Sequence, residues 1–310
     1  MNAAEFHSFR ARRARRIADS NTMCKLSVVM CDLNLPAEHA EEARERLATA
    51  ARLGAPARLT LQRSAAQLCL SLSAGYTCVA VSRSVSAAQL GEARARCPLQ
   101  PPAVAARSAG PCVLEHLTRL TVFLDDAADC SRLASAADVT RGYDLLAVSP
   151  ASELAFASAC TTLAVDIISI DLARRLPFKC VRLPAQQLSV LTSPADRFKV
   201  PAVRAAAARG VVFEMCYSCA LREQSSRRQF IANATALVRA ASGDAILLSS
   251  GALDALELRS PADVACLAGL FGLSEAAAER ACRGLTALAV CARAKARRAA
   301  HRGGITVLAV

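Results

Sequence analysis

Between Arg204 and Gly272 the chain spells helix, strand, loop, helix, strand, loop, helix, and this unit constrains everything around it. A helical run ends at Gly210. The stretch 211–216 is apolar apart from Glu214. A polar turn, 217–226, leads into a helix whose Phe230, Ile231, Ala234, Leu237 and Val238 recur at the helical period. Residues 245–250 form the next apolar run, and Ser260-Pro261-Ala262-Asp263 marks a helix start, with a hydroxyl cap, a proline at the first position and an acid at the third. Strands that are apolar throughout are buried on both faces. That is the pattern of a parallel sheet covered by helices.

The same rhythm runs through the rest of the chain. Strands are predicted at 26–31, 76–81, 117–124, 145–148 and 165–170, and helices at 37–53, 127–137 and 153–162. A last helix is predicted over 275–292, then a basic tail, 293–302, and a short apolar end, 305–310, read as a final strand. Residues 84–116 read as irregular because of Pro98, Pro101, Pro102 and Pro111. Right-handed strand–helix repeats in 310 residues predict an α/β fold. The first choice is a TIM-barrel-like (β/α) barrel in a single domain over 26–310, with an open doubly wound sheet as the alternative. Two stretches, 55–74 and 185–199, break the rhythm and read as insertions. Residues 1–25 read as a basic, disordered extension whose Arg10, Arg12, Arg13, Arg15 and Arg16 suit a nuclear-import signal or a nucleic-acid arm.

Net charge of +12 favours a polyanionic partner. The absence of Trp and the 4% aromatic content argue against a base-stacking platform of the RRM or OB type. Fourteen scattered cysteines, with Cys216 and Cys219 the sole C-x-x-C, read as reduced structural thiols rather than a zinc site. No uncharged apolar run reaches the roughly 18 residues a membrane helix needs.

A barrel invites a search for catalytic groups. His7, His39, His116 and His301 are far apart in sequence and show no paired-histidine spacing, and phosphate-binding and nucleophile-elbow motifs are missing. Asp32, Asp125, Asp126, Asp171 and Glu214 lie in or beside strands. They suit helix capping or pairing with arginine better than an oxygen-ligand Mg²⁺ site. The cationic feature that remains is Arg227-Arg228. Ser226 and Gln229 flank the pair at capping-box spacing, which puts both arginines in a first helical turn, where an anion would be welcome.

The blocks Leu117-Thr-Arg-Leu-Thr121, Tyr143-Asp-Leu-Leu-Ala-Val148, Ala159-Cys-Thr-Thr-Leu-Ala-Val-Asp166, Leu176-Pro-Phe178, Arg209-Gly-Val-Val-Phe-Glu214, Tyr217-Ser218, Arg227-Arg228, Leu247-Leu-Ser-Ser250, Leu256-Glu-Leu-Arg259 and Leu270-Phe-Gly-Leu-Ser-Glu275 resemble, in order and spacing, the thirty-kilodalton protein subunit of ribonuclease P. The resemblance covers most of 26–303. It implies a TIM-barrel-like, RNA-binding and non-catalytic subunit of nuclear ribonuclease P, and of the related ribonuclease MRP, on a barrel akin to metal-dependent phosphoesterases. The alternative is a stand-alone metal-dependent phosphoesterase on that barrel. The resemblance also implies Mg²⁺ held by the RNA subunit and no cofactor on this chain. Its implied partners are the RNase P and MRP RNA, a small α/β protein subunit and the other proteins of the particles, with precursor tRNA met indirectly and no membrane. The implied location is the nucleus, and within it the nucleolus. Carried over by position, Arg227 and Arg228 are expected at the RNA face, with Arg119, Arg141, Lys179, Arg182 and Arg259 in or beside matching blocks.

Overall fold

The computed structural model describes residues 31–36, 76, 78–91, 115–174, 176, 198–222, 224–243, 245–253, 255–282 and 284–299. Seven parallel strands form one sheet: β1 (Cys31–Pro36), β2 (Cys78–Ser86), β3 (Glu115–Leu124), β4 (Leu145–Pro150), β5 (Ile167–Ser169), β6 (Val212–Cys216) and β7 (Ile246–Ser249). They pair strictly in chain order, β1 to β7, and β7 also comes within 8 Å of β1, so the sheet curls into a TIM-barrel-like fold. Between and after the later strands run α1 (Ala127–Ser135), α2 (Ala137–Arg141), α3 (Glu153–Thr161), α4 (Val200–Ala208), α5 (Cys219–Arg222), α6 (Gln224–Ala241), α7 (Pro261–Leu270), α8 (Glu275–Cys282) and α9 (Leu285–Ala299).

Side chains alternate across each strand, and here both faces are apolar. Leu120, Val122, Leu146, Val148, Ile168, Phe213, Met215, Ile246 and Leu248 belong to the large core formed with the helices. Fully burying a Leu- or Phe-sized side chain is worth about 1.5–3 kcal/mol. A second, smaller core fills the floor of the barrel: Cys78, Ala80, Leu145, Ala147, Ile167, Val212 and Leu247 meet Ala287, Val290 and Ala294 of α9. Thus α9 plugs the end where the strands begin.

Helix starts follow local chemistry. Asp126 caps α1 by accepting from Asp129 N at 2.9 Å, Ser152 caps α3 by accepting from Ala155 N at 3.2 Å, and Ser260 caps α7 by accepting from Asp263 N at 3.3 Å. Asp263 returns the contact at 2.7 Å to the Ser260 hydroxyl, so the predicted start of α7 holds as a capping-box variant.

Several expectations shift. β2 runs on to Ser86 and β3 begins at Glu115, so both strands reach into the stretch expected to be irregular. The described part of the first strand starts at Cys31, where the predicted one ends. The helix predicted over 275–292 is two helices, parted near Gly284, whose φ of 73° an L-residue resists. Over 293–299 the predicted basic tail is the end of α9. Arg293, Arg297 and Arg298 turn inward because Asp144, Asp166 and free carbonyls lie at the barrel floor. Residues 1–25, 37–53, 55–74, 185–197 and 305–310 lie outside the described residues. The last two residues of the second suspected insertion are integral to the fold: Phe198 is buried 6.3 Å from Phe156, and Lys199 pairs with Glu153.

Candidate nucleic-acid interface

The middle of the barrel is polar, and its groups satisfy one another. Arg119 on β3 and Glu214 on β6 are both 0% exposed. The guanidinium grips the carboxylate with two nitrogens, Nη1 to Oε1 and Nη2 to Oε2, the latter at 2.7 Å. Arg119 Nε also donates to Thr121 Oγ1 at 3.0 Å, Thr121 meets Ser82 Oγ at 3.0 Å, and Ser249 Oγ donates to Glu214 Oε1 at 2.8 Å. Burial alone would raise the Glu214 pKa. The Arg119 charge, with hydrogen bonds from Arg119, Ser169 and Ser249, outweighs it and holds the carboxyl below its ordinary range.

The acids read as caps or arginine partners rather than oxygen ligands can now be placed, apart from Asp32, whose side chain lies outside the described set. Glu214 is neutralised by Arg119, Asp125 is exposed just after β3, Asp126 caps α1, and Asp171 pairs with Arg174 at 3.1 Å and accepts from Ala173 N. Among the described residues no group of three His, Cys, Asp or Glu is placed to hold a metal ion. The phosphoesterase alternative is thus without a donor set among the described residues. Arg119 itself must be corrected. A guanidinium with no exposed surface cannot reach an RNA backbone, so Arg119 leaves the RNA-facing set.

Among the described residues, cations reach solvent near the C-terminal ends of the strands after β5, where Arg174 is exposed, and in the segments that follow β6 and β7. Arg222 clasps Glu257 at 2.6 and 2.8 Å, and its Nη2 also reaches Gly251 O at 3.2 Å. Ser218 Oγ donates to the same Gly251 carbonyl at 2.8 Å. Gly251 has φ +55°, and a Cβ there would lie 2.8 Å from Cys216 Cβ, so the close approach of these two loops depends on glycine. The Tyr217 hydroxyl accepts from Arg259 N at 3.1 Å, and Tyr76 donates to Arg259 O at 3.1 Å. Arg259 thus has its backbone fixed from both sides, and its Nη1 folds back onto the carbonyls of Leu256 and Leu258.

The capping reading of Ser226 fails. The turn compacts into α5, and α6 begins at Gln224, two residues before the predicted cap. Gln229 Nε2 donates to Asn233 at 3.1 Å rather than reaching back to a cap. Arg227 is exposed, and its Nε donates to Ala220 O at 2.8 Å, closing the end of α5. Arg228 is exposed beside it, with no partner among the described residues. The arginine pair is therefore presented by the second half of a tight helix–helix corner rather than by a bare helix start. Buried Asn233 steadies that corner by donating to Leu172 O at 2.8 Å and Arg174 O at 3.0 Å, which ties α6 to the segment after β5.

Of the other residues expected at the RNA face, Arg141 ends α2, just before β4, at the opposite end of the barrel. Lys179 and Arg182 lie outside the described residues. The clasp between Arg222 and Glu257 and the anchor at Asn233 escaped the sequence reading. Their partners are 35 and 59–61 residues away, and no local period reports such pairs. Burial raises the Cys219 thiol pKa and pushes that of Cys216 well up, with the neighbouring Glu214 adding to Cys216, and takes that of Cys160 to about 12.

Known proteins give this geometry a family. The chain is 40% identical over 162 residues to the mouse ribonuclease P protein subunit p30, covering 52% of this chain and 54% of that one. It is 33% identical over 165 residues to the probable ribonuclease P protein subunit 3 of Schizosaccharomyces pombe, covering 53% and 62%. It is 28% identical over 160 residues to the ribonuclease P/MRP protein subunit RPP1 of Saccharomyces cerevisiae, covering 52% and 47%. The chain thus spans about half the length of the curated relatives it matches. A chain in the cryo-EM structure of archaeal ribonuclease P with mature tRNA shares the fold, with a TM-score of 0.55 at 14% identity over 90% of this chain and 98% of that one. The family described as RNase P subunit p30 matches residues 29–299, a stretch that holds every strand and helix from β1 to α9, and the chain belongs to it.

Proposed function

We propose that this chain is a non-catalytic, RNA-binding protein subunit of ribonuclease P, and of ribonuclease MRP, acting in 5′-leader removal from precursor tRNA and in rRNA processing. The family match over 29–299 carries this reading. The filled barrel interior supports it, because Glu214, the carboxylate best placed to serve chemistry, is already neutralised by Arg119. Phosphodiester hydrolysis then belongs to the RNA subunit and its Mg²⁺, and this chain braces that RNA. The small α/β subunit and the other RNase P/MRP proteins are its protein partners, precursor tRNA is met through the particle, and the nucleus, with its nucleolus, is its location. Affinity capture of the full chain from nuclear extract is expected to bring a structured RNA that cleaves precursor tRNA in Mg²⁺. Capture of proteins alone, with no such RNA, would sink the reading.

The RNA face is assigned to Arg227 and Arg228, with Arg259, Lys179 and Arg182 as lesser contributors, while Arg141, at the opposite end of the barrel, would need a separate contact with the RNA. Each arginine that neutralises a phosphate adds about one unit to the log–log salt slope of RNA binding. The variant Arg227→Ala/Arg228→Ala is expected to flatten that slope by about two units and weaken binding most at low salt. An unchanged slope in a filter-binding titration across salt concentrations would remove both residues from the interface.

A further inference from the structure

One aromatic ring stands apart from the rest. Among the described residues Tyr76, Tyr143, Tyr217, Phe156, Phe198, Phe213, Phe230 and Phe271 are all buried, whereas Phe123 is 46% exposed. Its position on β3 explains where it is. Arg119 and Thr121 face the barrel interior, where they meet Glu214 and Ser82, and alternation puts Phe123 on the same inner face, two residues nearer the C-terminal mouth. In register, Ser86 of β2 and Ser149 of β4 flank it. The Ser86 hydroxyl donates to Gln89 at 3.2 Å. Two residues deeper on β3, Thr121 meets the Ser82 hydroxyl at 3.0 Å. Among the described residues the mouth therefore offers one ring among hydroxyls, at the end of the barrel that also presents Arg227 and Arg228.

We propose that Phe123 is a stacking platform for one unpaired RNA base that enters the barrel mouth. This rests on the RNA-binding reading above and names a contact of a different kind within it. An apolar anchor from a protein partner would seek a continuous apolar patch. Phe123 is instead flanked by Ser86 and Ser149 and stands above Thr121. A nucleobase matches such a surface: its π-face covers the ring, and its polar edges meet hydroxyls. Stacking is sequence-tolerant and carries no ionic component, so it would add affinity without adding salt dependence.

The chain has no tryptophan, so Phe123→Trp installs a single indole reporter at this position. The probe is the RNA that co-purifies with the full chain, titrated at several salt concentrations. The expected result is quenching of the indole emission of Phe123→Trp on RNA addition. Phe123→Ala and Phe123→Leu are expected to lose between about fivefold and a hundredfold in affinity at an unchanged salt slope. The leucine variant keeps apolar bulk but not the ring, so it separates stacking from packing. If wild-type protein binds the RNA while the indole emission of Phe123→Trp and the affinity of Phe123→Leu stay unchanged, the platform is overturned and the RNA-binding reading stands. If no RNA binds at any salt, both fall. If the indole responds to a protein subunit alone and never to RNA, the mouth is a protein contact and the platform is overturned.

Discussion

Replacing Arg119 with methionine is expected to destabilise the protein by about 3–5 kcal/mol, because it leaves Glu214 buried without its cation. The carboxylate is 0% exposed and has only Ser169 and Ser249 hydroxyls left to hold it. The double variant Arg119→Met/Glu214→Leu removes both charges and is expected to recover most of the loss, since a buried pair is often matched by well-packed apolar side chains. The two substitutions should therefore couple strongly in a double-mutant cycle read by urea unfolding. A double variant as unstable as the single one would show that volume, not charge, is what Arg119 supplies.

The pH dependence should differ between these proteins in sign. In the wild type the Glu214 pKa is lowered on folding, so its contribution is complete above the ordinary value of 4.5 and is lost as pH falls below it. In Arg119→Met the same carboxyl, buried and unpaired, has its pKa raised. Its neutral form is then tolerated at low pH, and stability is lost as pH rises through neutrality. After subtraction of the double variant, urea midpoints should thus be level between pH 5 and pH 8 in the wild type, where the Glu214 contribution is already complete, and should fall over that range in Arg119→Met. RNA affinity of the folded fraction should not change, since the guanidinium lies inside the barrel.

These residues also show where sequence reasoning stops. Strands β3, β4, β6 and β7 were legible because parallel strands buried on both faces leave largely apolar runs, broken in β3 by Arg119 and two threonines and in β6 by Glu214. The α7 start was legible because Ser260, Pro261 and Asp263 act within one turn. Glu214 stood out as an acid inside a strand, but its partner lies 95 residues away and emerges only from the register of β3 through β6. The capping-box spacing of Ser226 and Gln229 was a real local signal that lost to a tertiary one: the carbonyl of Ala220 takes the Arg227 side chain, and the chain winds up earlier. The same holds for the arginines at the end of the chain. As a sequence they look like a solvated tail, and nothing local says that two aspartates wait at the barrel floor.

That floor yields the second large effect. Asp166 is 0% exposed, yet it serves three partners: Oδ2 accepts from Leu146 N at 2.9 Å, Arg297 Nε approaches both oxygens at 3.1 and 3.0 Å, and Arg293 Nε lies 3.9 Å away. Arg293 also donates to Arg209 O and, at 2.9 Å, to Val165 O. This is what holds the basic half of α9 across the barrel floor, while Ala287, Val290 and Ala294 supply the apolar contact. Asp166→Ala is expected to cost about 3–5 kcal/mol, since Arg297, only 12% exposed, is left without its counter-charge and Leu146 N–H without its acceptor. Arg298→Ala, which breaks a partly exposed pair with Asp144, should cost no more than about 1 kcal/mol. The contrast identifies the mechanism through hydrogen exchange. In Asp166→Ala the amides of 285–299 should exchange by local opening well before the strands do, because α9 loses its tether while the outer core remains. Uniform loss of protection across strands and α9 alike would mean that Asp166 supports the sheet itself, through Leu146, rather than the plug. The Asp166→Asn variant separates the two roles: it keeps an acceptor for Leu146 N–H and removes the charge, so it should release α9 nearly as fully as alanine does while leaving strand β4 protected.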